Sequence, residues 1–386
     1  MNIRTCLRLA LWSSALPVLA VAAQQKPDPL AEPFKGVTTN GTIVGGLFPI
    51  KATGVSTEPV RKAAVAFLEA LTPEQRGKST FPVNDDEWRK WNNIHRYTRQ
   101  GVSFAEMTEE QRTRAFAMLG AGMSARGLEK SRNIMRLNET IREMTQRLDE
   151  YGEGLYHITV MGQPSDKEPW GWQLDGHHLI INYFVLRDQV VMTPTFMGSE
   201  PVIATSGKYA GTKVMQEEQD KGLALMQSLT PEQQKRAILQ SEKTVNNSLA
   251  QAFRDNLVLD YAGIPVKELS KEQRTRLLDV IGEYVNNMSP GHAQVRMDEV
   301  VRHLDETYFG WIGATGSDAV FYYRIHSPVI LIEFDHQTPV ALPGPRVPGR
   351  IHVHSVVRTP NGNDYGKDLL RQHYLAHQDD PAHGHR

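Results

Sequence analysis

The chain has 386 residues, 40% of them hydrophobic and 23% charged, enough for two or three domain-sized units around a substantial core. Its 43 basic side chains against 44 acidic ones leave a formal net charge of −1, which argues against a dedicated nucleic-acid binder, because that role needs a basic excess to displace counterions from phosphates. The single cysteine, Cys6, lies so close to the N-terminus that the body of the chain has none, which removes thiol catalysis and cysteine-based zinc sites and leaves His, Asp and Glu as metal ligands.

Residues 1–23 read as a secretory signal peptide. Arg4 and Arg8 form a basic start, an apolar run from Leu9 is broken only by Ser13 and Ser14, and small residues at Ala20, Ala22 and Ala23 offer cleavage after Ala22 or Ala23. The expectation is an exported protein, periplasmic or extracellular. The run is shorter than the roughly 18 to 20 residues that a spanning helix needs, and no later segment reaches that length without charge, so no membrane span is expected.

Residues 24–57, rich in Pro, Gly and Thr, read as an extended arm or linker. A helix is expected from about Glu58, with Val60, Ala64, Phe67, Leu68 and Leu71 at helical spacing. Thr72-Pro73-Glu74-Gln75 then forms a capping box, in which Thr72 caps the helix and Gln75 reaches back to it. The same box returns at Thr108, Thr230 and Ser270, and Glu-Gln-Arg-Thr-Arg occurs at both 110–114 and 272–276. Thr72 and Thr108 are 36 residues apart and Thr230 and Ser270 are 40 apart. Helical periodicity is clear at Ile134, Leu137, Ile141, Met144 and Leu148, and again from Leu277 to Met288. Strand patterns cover 155–160, 170–184, 189–196, 307–312, 320–334 and 350–357.

This order predicts an α+β fold of two related halves, 58–211 and 212–375, each a helical group followed by antiparallel strands, related by internal duplication about a pseudo-two-fold axis. At an offset of 151, Trp172 meets Tyr323, Asn182 meets Glu333 and Tyr183 meets Phe334, while Thr193 and Thr195 stand in places like those of His352 and His354. A cleft between the halves is the expected place for a ligand.

The strongest chemical signal is His352-Val353-His354 in the last strand pattern. Positions i and i+2 of a strand share a face about 6.6 Å apart, a gap that two imidazoles can close on one cation. Glu333, a charge inside Val329-Ile330-Leu331-Ile332-Glu333-Phe334, is the expected third ligand, because a buried carboxylate needs a partner. Two histidines and a carboxylate suit zinc or non-haem iron. His178, in Gly176-His177-His178, is read as a further ligand or general base on strand alternation with Asn182, and Arg358 as a clamp for an anionic substrate, against the plainer reading of an ion pair with Asp364 or Asp368. The alternatives are a metal-free small-molecule-binding or scaffolding protein, and metal capture by a His-rich tail, residues 376–386, whose His377, His383 and His385 follow His373. Signatures of serine hydrolases, zincins and nucleotide-binding loops are absent from the sequence.

Phe67 to Arg76, Trp170-Gly171-Trp172 through Gly176-His177-His178 to Asn182, Ile332 to Asp335, His352 to Val356 with Arg358, and Asp364 to Tyr374 together resemble the bacterial secreted proteins grouped as domain of unknown function 3500, over about residues 60 to 375. The resemblance implies bacterial secretion and carries no settled reaction. The segment Val340–Gly349 departs from it, being longer and richer in proline than the polar turn expected there, which bears on where Asp335 and His336 fall.

Overall fold

The computed structural model describes residue 28 and residues 30–378; the expected signal segment, and His383 and His385 of the tail, lie outside them. Thr72, Thr108, Thr230 and Ser270 each accept a hydrogen bond from the backbone N–H of the glutamine three residues on, and that glutamine's side chain accepts from the cap's own N–H. Each box thus satisfies two donors that have no partner inside the helix. The boxes also meet in pairs: Gln111 donates to Gln75 at 2.8 Å, and Gln273 donates to Gln233 at 2.8 Å. The recurring intervals in the sequence are the spacing that sets two helix starts side by side.

The helices are α1 (Glu58–Ala70), α2 (Pro73–Ser79), α3 (Glu109–Gly122), α4 (Ala125–Thr145), α5 (Gln216–Ser228), α6 (Pro231–Ala237), α7 (Lys271–Val285), α8 (Pro290–Arg302) and α9 (Lys367–Ala376). The strands are β1 (Thr80–Phe81), β2 (Val102–Ser103), β3 (Tyr156–Met161), β4 (Trp170–Gly176), β5 (Leu179–Leu186), β6 (Gln189–Val191), β7 (Thr195–Ser199), β8 (Ile238–Gln240), β9 (Ile264–Pro265), β10 (Tyr308–Gly313), β11 (Phe321–His326), β12 (Leu331–His336) and β13 (Val353–Arg358). All thirteen join one mixed sheet in the order β1-β3-β4-β5-β7-β13-β12-β11-β10-β8, with β2 on β3, β6 on β5 and β9 on β10. The fold is α+β.

Two of the expected strands prove to be hairpins. Residues 170–184 turn at His177-His178, and 320–334 turn between His326 and Leu331, because each apolar run is long enough to pair with itself across a tight turn. The run 189–196 breaks at Met192-Thr193-Pro194, since proline has no N–H to give a ladder. Strand alternation therefore does not pass through His178. In β3, Val160 faces Trp172, which in β4 faces Tyr183 of β5; 151 residues on, Trp311 faces Tyr323, which faces Phe334. Thr195 faces Ile181, and Val357 faces Ile332, so Val357 takes the place of Thr195 and the expected match of Thr195 with His354 is corrected by three residues.

The sheet is covered on both faces. On one, α1, α3, α4, α5 and α7 bury Phe67, Met118, Ile134, Leu225 and Ile281 against Trp172, Tyr183, Tyr323 and Phe334. Gly222 lets α5 lie close, since a Cβ there would stand 2.3 Å from the Tyr323 ring. On the other face Trp88, Trp91, Ala250, Tyr365 and Leu369 close over Ile180, Phe184, Phe196, Leu331 and Val356. The segment before α1 runs along the body without helix, held by hydrogen bonds such as those from Lys35 N to Asn256 Oδ1 and Thr53 N to Asp188 Oδ2, both 2.7 Å.

Buried histidines give the fold an acid-sensitive side. Burial lowers His326 and His336 to about 3 and His157 to about 4. Below the ordinary value of 6.5 the unfolded chain takes up protons that these rings refuse, so stability present above that value is lost as pH falls toward 3. Burial raises Asp175 and Asp364 to about 6, an opposing effect over the same window, but the histidine shifts are larger and more numerous. His326 has no hydrogen-bond partner on either ring nitrogen. The variant His326→Phe is therefore expected to lose no hydrogen bond, and its advantage over the parent in urea unfolding should grow steadily from pH 6.5 down to pH 4; a constant difference would contradict the assignment.

Candidate metal centre

His352 immediately precedes β13 and His354 lies within it, so both imidazoles leave the strand on one face. His354 is paired with Gly198 of β7, where a Cβ would stand 2.4 Å from the Val353 carbonyl oxygen and 3.3 Å from Cδ2 of His354, so a side chain there would push β13 and the ring it carries away from β7. The third imidazole arrives from the β4–β5 turn. His178 adopts φ +62°, its N–H donates to the Asn93 carbonyl at 3.3 Å and its carbonyl accepts from Gly198 N at 2.9 Å, which fixes the turn against β7. That left-handed conformation is uncommon for a residue with a side chain, and here it turns His178 toward β13.

The three Nε2 atoms form a triangle: 3.1 Å from His178 to His352, 3.1 Å from His178 to His354 and 3.0 Å between His352 and His354. All three residues are buried. Burial first, and then the neighbouring imidazoles, push His178 and His354 well below the ordinary histidine range, and burial lowers His352 as well, so the rings are neutral. His352 Nδ1 donates to the Thr338 carbonyl at 2.8 Å, with the Glu200 carboxylate 3.4 Å away. Its Nε2 therefore carries a lone pair aimed at the other two rings. Nδ1 of His354 lies 3.3 Å from the Gln251 amide, either end of which can serve it. His178 stacks on His177, centroids 3.9 Å apart, and His177 Nδ1 donates to Asn138 Oδ1 at 2.8 Å.

Protons alone cannot satisfy this triangle. Each nitrogen is a donor or an acceptor, and among three mutually touching atoms at least two must be alike, leaving lone pair against lone pair or hydrogen against hydrogen. A cation that accepts all three lone pairs removes the conflict. At zinc–imidazole bond lengths of about 2.05 Å, an ion over these atoms would subtend N–metal–N angles of about 96°, between the octahedral and tetrahedral values.

The expected carboxylate is not in the group. Glu333 accepts from Leu249 N at 3.0 Å, Ala250 N at 2.8 Å and the Tyr322 hydroxyl at 2.6 Å, and so ties the 246–251 loop to β12. Its burial does call for partners, and backbone N–H groups supply them. Asp335 and His336 remain within β12 despite the proline-rich segment that follows: Asp335 pairs with Lys243 at 3.0 Å, and His336 accepts from Phe321 N at 2.9 Å. That segment is instead pinned at its start by Glu200, whose carboxylate accepts from the N–H groups of Val340, Ala341 and Leu342. Arg358 is fully buried and committed, to Asp255 at 2.7 Å, Asp364 at 3.2 Å and the carbonyls of Ala250 and Gln251, so the plainer reading with Asp364 holds and a substrate clamp does not. In the tail region, His373 is buried with Nε2 3.2 Å from Glu168.

Glu200, Gln251, Thr338 and Asn93 support the three rings and were not singled out from the sequence, where nothing marks them. Among the described residues no helix is long and apolar enough to cross a membrane. A mixed thirteen-stranded sheet carrying a buried group of three histidines able to hold a metal ion defines the class. Residues 53–367 match the model of DUF3500, a family of proteins of unknown function, and the chain belongs to it. No curated protein and no solved structure matches.

Two variants separate these roles. Glu333→Gln should weaken the charge-assisted bonds to Leu249 and Ala250 and cost about 1–3 kcal/mol in urea unfolding, while leaving the metal content of the purified protein as in the parent. Gly198→Ala should lower metal content even where circular dichroism is unchanged, because the added methyl group displaces His354.

Proposed function

We propose that the protein is exported and binds one divalent transition metal ion, zinc or ferrous iron, through Nε2 of His178, His352 and His354, and that it acts as a metal-dependent enzyme on a small molecule. The observation that carries this reading is the triangle of nitrogens 3.0–3.1 Å apart, which only a shared cation satisfies. Three protein ligands are the number that catalytic zinc sites use, leaving a position for water or substrate, whereas structural sites are closed by four. Neutral ligands leave the ion its full double charge, which favours acidifying a bound water or polarising a carbonyl or phosphoryl oxygen. The Thr338 carbonyl, with Glu200 beside it, would hold His352 in the tautomer a ligand needs.

We further read the two halves as a duplication. The sheet order is the same from either end in terms of matched strands, β1 with β8, β3 with β10, β4 with β11, β5 with β12 and β7 with β13. The paired glutamines of the capping boxes recur in each half. On this reading His352 and His354 come from one copy and His178 from the other. Export rests on the N-terminal residues alone, and fusion of residues 1–30 to a reporter that is active only outside the cytoplasm tests it.

Purified protein from zinc- or iron-replete growth is expected to carry one metal ion per chain by elemental analysis. The double variant His352→Ala, His354→Ala and the single variant His178→Ala should each retain less than a tenth of it, and removal of residues 376–386 should change nothing. Added metal should raise the melting temperature of the stripped parent and not of the variants, since a ligand of the native state stabilises by mass action. A parent free of stoichiometric metal would favour the metal-free binding protein instead.

A further inference from the structure

A second feature lies on the opposite face of β7 and β13 from the histidines. Thr195, Met197, Ser355 and Val357 point away from His354 and floor a cavity between the two halves. Helix α8 forms one wall with His292, Val295, Arg296, Glu299 and Arg302, which follow one another at helical spacing, so the cavity runs the length of that helix. Met192, Val285, Met288 and Ile330 make its interior apolar.

The two ends differ in chemistry. At the inner end Asn287, 3% exposed, lines the cavity with its Oδ1 lacking any hydrogen-bond partner, while its Nδ2 donates to the Glu283 carbonyl at 3.3 Å. A buried acceptor left unpaired costs free energy that a ligand's donor would recover. At the outer end the last residue of α8, Arg302, lines the cavity, is exposed, and forms no ion pair among the described residues, while Arg296 and Glu299 pair with each other. From its first turn to Arg302, α8 rises about 18 Å, and subtracting about 6 Å for the reach of the arginine leaves about 12 Å, the length of an extended chain of about nine or ten atoms.

We propose that this cavity binds a small amphiphile with an unbranched or single-ring apolar body, an anionic group at Arg302 and a hydroxyl or amide donor at Asn287. The site is independent of the metal centre, which it does not touch.

Isothermal titration of the full chain with 8-hydroxyoctanoate, octanoate and 1-octanol tests it. The hydroxy acid should bind about tenfold more tightly than either comparator, which lacks one of the two end groups. Asn287→Leu should erase the advantage over octanoate, and Arg302→Glu the advantage over octanol. Val295→Trp should abolish binding with melting temperature and metal content unchanged, and Val190→Trp, from the opposite wall, serves if that variant fails to fold. Absence of binding to the parent, equal affinities for the three probes, or binding that survives both tryptophan variants would overturn the proposal.

Discussion

Three ring nitrogens held within 3.1 Å of one another constrain everything around them. No assignment of protons makes all three contacts favourable, so the surrounding structure must fix the rings where a shared cation would satisfy them. The hydrogen bonds that do so reach far: Gly198 gives up its side chain, the β4–β5 turn accepts a left-handed residue, and Thr338, Gln251 and Asn93 each come from a different loop. A left-handed residue with a side chain persists only where the rest of the fold over-determines it, and His178 belongs to the one group of three metal-capable side chains found among the described residues.

The buried ionic groups near this centre act as fasteners for backbone. Glu333 and Arg358 both grip the 249–251 stretch, one through its N–H groups and the other through its carbonyls. That stretch in turn brings Gln251 to His354. Arg358 is itself balanced by Asp255 and Asp364, and Asp255 is shared with the buried Arg89, so the Arg358 guanidinium is committed within the fold. Glu200 does for Val340–Leu342 what Glu333 does for Leu249 and Ala250, and because it also stands beside His352 it couples the proline-rich segment to the ring that needs its tautomer fixed.

Much of this architecture was legible along the chain, because it rests on local rules. Capping boxes are read from four consecutive residues, and all four formed. The His352–His354 pair needed only the period of a strand. What failed did so for lack of the third dimension: an apolar run such as 170–184 pairs with itself or with a neighbour equally well by composition, and the choice of a turn at His177-His178 changed the direction of His178 entirely. Glu333 was correctly marked as a charge that must find partners, but its backbone partners stand some 83 positions away and carry no side-chain signature, whereas Arg358 meets the expected Asp364 and also Asp255, which no pattern singles out. The cavity beside α8 is assembled from several such distant segments and has no linear pattern at all.

The donor set straddles the seam where β7 meets β13. His178 is delivered from the strands before that seam and His352 and His354 from those after it. A chain cut between β7 and α5 would therefore yield one fragment with a single one of these imidazoles and another with two, neither a complete chelator. The seam and the site stand or fall together, and an ion seated there would work as a rivet through the midline of the molecule.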